Sequence, residues 1–219
     1  MTKLQQKNFI SPTQTSPTVA MFHPRLATVG QFIAVVLIWS LTPLAAVWTV
    51  HEIHWAWGLF IRFSLAIPLA LICLVCFRLK LTLSKQALMS YLAGALGLFG
   101  SMTFCYMGAT RVSSSMISII YGTAPLWTGL ISVFILKQER FHNLQWFGLT
   151  IAFIGLLLTM GIGSRDIQLD LVGVIYEIIA VMLYVLSMFA IARVGAGIHP
   201  IIQMTGSTIV SWLGYVCLL

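Results

Sequence analysis

The sequence predicts an all-α integral membrane protein, a helical bundle of about seven transmembrane spans. Three observations predict it. Hydrophobic residues make up 59% of the chain and charged residues only 8%, whereas soluble domains carry about a quarter charged residues. The mean hydropathy is +0.98, so there is too little polar surface to cover a globule in water. Apolar runs of about 20 residues, each long enough to cross a hydrocarbon core, recur along the chain between charged positions.

The elements follow in order. Residues 1–22 contain the run Ser11-Pro12-Thr13-Gln14-Thr15-Ser16-Pro17-Thr18, which is polar, proline-spaced and without apolar period, and predicts a disordered cytoplasmic tail. The apolar stretch after Arg25 exceeds the roughly 7–15 residues of a signal-peptide core, so 27–49 is expected to be a retained first span. Further spans are expected at 55–77, 87–110, 113–136, 143–163, 171–192 and 199–219. The gaps are short, which predicts antiparallel neighbours in one bundle and leaves no room for a separate soluble domain.

Orientation follows from the basic residues. With the N-terminus in the cytoplasm, the inner segments hold Lys3, Lys7, Arg25, Arg78, Lys80, Lys85, Lys137, Arg140 and Arg193, and the outer ones only Arg111 and Arg165. The positive-inside rule therefore predicts a multi-pass protein of the cytoplasmic membrane with its N-terminus inside. That role accounts for nearly all of the net charge of +7, and no basic run with interleaved aromatics suggests a nucleic-acid partner. Trp48, Trp55, Trp57, Tyr91 and Trp146 fall near the expected interfaces, as an aromatic belt would. Cys73, Cys76, Cys105 and Cys217 lie inside expected spans and read as small apolar residues, and the Cys73-x-x-Cys76 pair lacks further ligands for a metal.

Two charges within the spans need an explanation. Arg62 is seven residues past Trp55, about 10 Å below the outer boundary at 1.5 Å per residue; it either snorkels to the interface or contacts a ligand in a cavity. Glu177 is six residues past Leu171 and reaches a similar depth, so it is a structural glutamate, an ion-pair partner for Arg62 or a proton-coupling group. Span four carries Ser114, Ser118, Tyr121, Pro125, Thr128 and Ser132 at alternating steps of four and three. Such a polar face is expected to turn into the bundle, against another helix or a wet passage.

Pro125 leaves the carbonyl of Tyr121 without its helical partner, and Pro43 and Pro68 do the same for Trp39 and Ser64. With Trp39 and Tyr121 near mid-depth, these favour a central cavity. Ala93, Gly97 and Ser101 at four-residue intervals predict close helix packing. Enzyme chemistry is not expected: there is no H-E-x-x-H, G-x-S-x-G or P-loop, and five acids leave little for acid–base work. No cofactor or metal is implied.

Shifting the chain by the interval from His54 to His199 superposes Val35-Val36-Leu37-Ile38-Trp39-Ser40 on Ala180-Val181-Met182-Leu183-Tyr184-Val185. That interval contains five spans. A tandem copy of an odd number of spans enters the membrane from the opposite side, which is the inverted-repeat plan of many transporters.

Trp39-Ser40, Arg62, Tyr106-Met107-Gly108-Ala109 before Ser113-Ser114-Ser115, Pro125, Glu139, and Gln145-x-x-Gly148 leading to Ile154-Gly155 resemble the EamA-type family of the drug/metabolite transporter superfamily. The resemblance implies one full five-helix repeat at 23–165 and part of a second at 166–219, a truncated form of a ten-helix inverted-repeat fold. It further implies a secondary transporter, expected to export small metabolites or drugs by alternating access, although the chain as it stands lacks three helices of that fold. Trp39, Arg62, Ser118, Tyr121, Pro125 and Tyr184 would line the cavity, Tyr184 as an aromatic wall. A non-transporting membrane scaffold is the alternative. Expected partners are the lipid bilayer and a small-molecule substrate, with a homo-oligomer as a further option.

Overall fold

The computed structural model describes residues 24–135, 144, 146–148, 150–152, 154, 155, 158, 170–195 and 197–219. Among them there is no strand. Six helices are long and apolar enough to cross a membrane. They are α1 (Pro24–Glu52), α2 (Trp55–Cys76), α3 (Lys85–Ala109), α4 (Ser114–Val133), α5 (Leu171–Val194) and α6 (Pro200–Leu218). Every described position from 144 to 158 is also helical. The expected tail at 1–22, Glu139, Arg165 and most of 143–163 lie outside the described residues.

Short polar side chains set where the helices begin. Ser84 accepts from the Ala87 amide before α3, Ser113 from Met116 before α4, and Asp170 from Val172 and Gly173 before α5. Such caps satisfy amides that a helix start otherwise leaves open. His54 and His199 serve the same purpose for α2 and α6, each accepting on Nδ1 from the amide two residues ahead, at 3.4 and 3.3 Å. The two histidines matched by the sequence offset thus hold equivalent structural positions.

Side-chain contacts set the sidedness of the loops. Arg111, between α3 and α4, donates to Asp170 Oδ2 at 3.0 Å, so the starts of α4 and α5 lie on one face. At the other face Gln86 donates to the Val194 carbonyl at 3.3 Å, joining the start of α3 to the end of α5. This second face carries Arg78, Lys80, Lys85 and Arg193, while the first carries Arg111 opposite Asp170.

From Trp39 onward the helices form one packed unit. Its main core gathers Ala46, Leu59, Phe63, Cys105, Tyr106, Ile117, Ala180 and Tyr215. On α2 the residues Leu65, Leu69, Ile72 and Val75 point outward, a lipid-type stripe. On α6 the buried positions are instead Thr205, Gly206, Ser207, Thr208 and Ser211. On α6 it is thus the polar and small residues that turn inward, and small residues let the helices approach closely. The stripe expected for packing does pack: a Cβ at Gly97 would strike Ser187 of α5, and one at Gly94 would strike Ser207 and Gln203 of α6.

Tyr91, placed by sequence in an interfacial belt, is buried instead and donates to the Thr82 carbonyl at 2.7 Å. Its ring fills the hollow over Gly206, and the hydroxyl is satisfied by backbone rather than water. Midway along α3 the backbone widens to a π turn at Leu96–Ser101. There the Tyr215 hydroxyl reaches the Leu98 and Phe99 carbonyls at 3.2 and 3.0 Å, and Thr103 donates to Phe99 at 2.6 Å. A π turn displaces carbonyls from their usual partners, and inside a membrane protein side chains must supply the replacement.

Candidate functional site

The interior of the bundle holds two connected groups of polar side chains. The first lies near the middle of the helices. Tyr184 on α5 stands between Trp39 on α1, edge-on at 5.8 Å, and Tyr121 on α4, at 6.2 Å between ring centroids. The Tyr121 hydroxyl shares a hydrogen bond of 3.1 Å with Ser101 on α3. Four helices therefore contribute to one aromatic and hydroxylic wall, with Trp39 still half-exposed at 53%.

The second group lies closer to the face bearing Arg111 and Asp170. Arg62 Nη1 on α2 donates to the Tyr106 hydroxyl on α3 at 3.2 Å. Glu177 on α5 is fully buried, and among the described residues neither carboxylate oxygen meets a hydrogen-bond donor beyond the Cys105 thiol. It occupies a hollow left by Gly108, where a Cβ would collide with its carboxylate, and it neighbours the Cys105 thiol. The ion pair between Arg62 and Glu177 considered from sequence does not form. Equal depth placed the two residues at one level, but Tyr106 takes the guanidinium first.

Span four departs from expectation. Tyr121 is partly buried, but Ser118, Pro125 and Thr128 lie on the exposed side of the helix. The Ser118 and Thr128 hydroxyls donate to the carbonyls of Ser114 and Ala124 on their own helix, both at 2.8 Å. Satisfied in this way, they need no partner helix. The helix breaks at Thr123 just before Pro125, and the Thr123 amide turns back onto the Ile120 carbonyl at 3.0 Å.

Sequence reading placed Trp39, Tyr121 and Tyr184 together in the cavity, and the structure brings these three into contact. Arg62 reaches the second group, while Ser118 and Pro125 join neither. Ser101, Cys105, Tyr106 and Gly108 were read as packing or family residues rather than as part of the site. The signal was present: Ser101, Cys105 and Gly108 recur at steps of four and three, so one face of α3 meets both groups.

Outside the membrane-spanning segments, Asp170 is held below the usual carboxylate range. The Gly173 amide is the main cause, followed by the Arg111 guanidinium. This pair ties the α3–α4 loop to the start of α5.

An apolar helical bundle with a polar interior and basic residues gathered at one face is a polytopic membrane protein. More particularly, the chain belongs to the EamA-like transporter family, whose model matches residues 27–161. That makes it a membrane protein of the drug/metabolite transporter type. The match contains Trp39, Arg62, Ser101, Tyr106 and Tyr121, while Glu177 and Tyr184 lie beyond it. No curated protein and no solved structure matches the chain.

Proposed function

We propose that the chain moves a small molecule across the cytoplasmic membrane as a secondary transporter, by alternating access around the Trp39–Tyr184–Tyr121–Ser101 cluster. The observation that carries this reading is the cluster itself. Aromatic faces and hydroxyls from four helices meet midway along the bundle, where transporters of this plan bind substrate. Aromatic walls suit a partly apolar metabolite or drug, hydroxyls orient it, and Arg62 nearer the surface attracts an anionic group. The basic face with Arg78, Lys80, Lys85 and Arg193 supports an orientation in which it is cytoplasmic.

The test is exchange of a labelled metabolite and drug panel in proteoliposomes, comparing the wild type with Tyr184→Ala and Arg62→Ala at matched protein content. At least one compound should exchange, and Tyr184→Ala should slow it by about tenfold or more, the loss expected when an oriented contact in a binding site is removed. If no compound exchanges, or if Tyr184→Ala exchanges it as fast as the wild type, the cluster is not the transport site.

A further inference from the structure

Glu177 is used by neither the fold nor the cluster. Among the described residues it caps no helix, bridges to no base and meets no donor beyond the weak Cys105 thiol. Yet it is 0% exposed on a helix that crosses the membrane. The space for it is built: Gly108 is the residue that leaves room for the carboxyl, and any side chain there would press on it.

The titratable and charged groups around it are few among the described residues. They are Cys105 on α3 and Tyr121 on α4, and Arg62 on α2, which acts on Cys105. The one fixed charge in that set, Arg62, donates to the neutral Tyr106 phenol and forms no salt bridge with Glu177 among the described residues. An ionised carboxylate there would have no counter-charge and only the weak donor of the Cys105 thiol, which a low-dielectric interior tolerates poorly. In this state the group is therefore the neutral acid. A buried acid without a structural partner, one layer from a mid-membrane cluster, is placed like the relay groups of membrane pumps and transporters.

We propose that Glu177 is the proton-binding group that couples this transporter to a proton gradient. The proposal rests on the transport reading above. In the closed arrangement the carboxyl holds its proton. When the helices around Gly108 and Cys105 part, water reaches it, the O–H bond breaks and the proton passes to that water, leaving a hydrated carboxylate. Reprotonation from water on the other side, forming the O–H bond again, resets the site. One proton crosses per cycle, and no electron or other group moves.

The experiment has two arms. Infrared difference spectra of the lipid-reconstituted protein, stepped from neutral to alkaline pH, should show a protonated-carboxyl band disappearing. Glu177 is the one acid of the sequence that falls inside an expected span, and the variants assign the band. The band should be absent in Glu177→Gln and present, with a shifted midpoint, in Glu177→Asp, which keeps the acid and controls for folding. An unchanged band in Glu177→Gln overturns the proposal.

In the second arm, a panel compound exchanged by the wild type is followed in two modes. Glu177→Gln should keep counterflow within about threefold but lose about tenfold or more of the accumulation driven by a pH gradient. Equal gradient-driven accumulation by the two proteins overturns coupling. A wild type that exchanges nothing defeats the transport reading and the coupling with it, while the infrared arm alone still decides whether Glu177 binds a proton.

Discussion

Gly206→Ala tests whether α6, which lies beyond the family match, is packed into the same bundle as α3. A methyl at position 206 collides with the Tyr91 ring. Tyr91 is 2% exposed, and its hydroxyl is fixed by a 2.7 Å bond to the Thr82 carbonyl, so the ring has no free direction. Overpacking costs about 1–3 kcal/mol. Displacing the ring adds the loss of one hydrogen bond, about 0.5–1.5 kcal/mol net. Against these, alanine gains about 1 kcal/mol of helix propensity over glycine. The balance is a destabilisation of about 2 kcal/mol, a shift of roughly thirtyfold in the folded-to-unfolded ratio.

The measurement is reversible unfolding in mixed micelles. Gly30→Ala serves as the control, since nothing lies within 4 Å of a Cβ at that position, and it should be neutral or slightly stabilising. Adding Tyr91→Ala removes the ring that is struck. The double variant should then lose less stability than the sum of the single ones by about 1 kcal/mol or more, because residues in contact do not act independently. A Gly206→Ala protein as stable as the wild type, or strict additivity with Tyr91→Ala, would refute the packing argument.

Tyr215→Phe removes the hydroxyl that reaches the Leu98 and Phe99 carbonyls; because Thr103 still donates to Phe99, unfolding should become easier by about 0.5–1.5 kcal/mol, the net worth of one hydrogen bond. The Asp170 carboxyl is held low in the folded state, so its contribution is fully present above the ordinary carboxylate range and fades as pH falls through the lowered value. Unfolding curves across that acid range should therefore diverge between the wild type and Asp170→Ala at neutral pH and converge at the acid end. Cys217 is exposed two residues from Leu219 and Cys76 is exposed at the opposite end of the bundle. With the basic face cytoplasmic, a membrane-impermeant maleimide added to intact cells should label Cys217 and spare Cys76; the converse pattern would invert the orientation.

The described spans were legible because their ends are written in short polar residues. His54, Ser113 and His199 stand within a residue of the expected boundaries, and each accepts from a helix amide. Facing directions were harder to read. Nearly every side of each helix is apolar, so polarity gives little contrast between lipid and interior. The stripe on α4 supplied contrast, yet its hydroxyls bond within their own helix and reveal nothing about neighbours. Depth along a helix could be counted, which is why Arg62 and Glu177 were matched in level. The angle around the axis could not, and it decides that Arg62 meets Tyr106.

The contact between Trp39 and Tyr184 bears on the inverted repeat expected from the sequence in a way that the offset alone does not. Two copies related by a two-fold axis place most equivalent residues far apart, because each is carried to the other side of the axis. Only residues close to the axis can touch their own equivalents. Trp39 and Tyr184 are equivalents under the offset that pairs His54 with His199, and their rings lie 5.8 Å apart. Both sit near the centre of long helices, Pro24–Glu52 and Leu171–Val194. An axis passing between them in the plane of the membrane would put the Tyr121 and Ser101 hydroxyls beside it as well. A site on such an axis keeps its depth when one half rocks against the other, which is the condition alternating access places on a substrate site. Glu177 lies about two helical turns from Tyr184 toward the face of Arg111, off that axis. The same rocking that leaves the aromatic cluster at its depth would therefore change the surroundings of Glu177, and a group that binds and releases protons requires such a change.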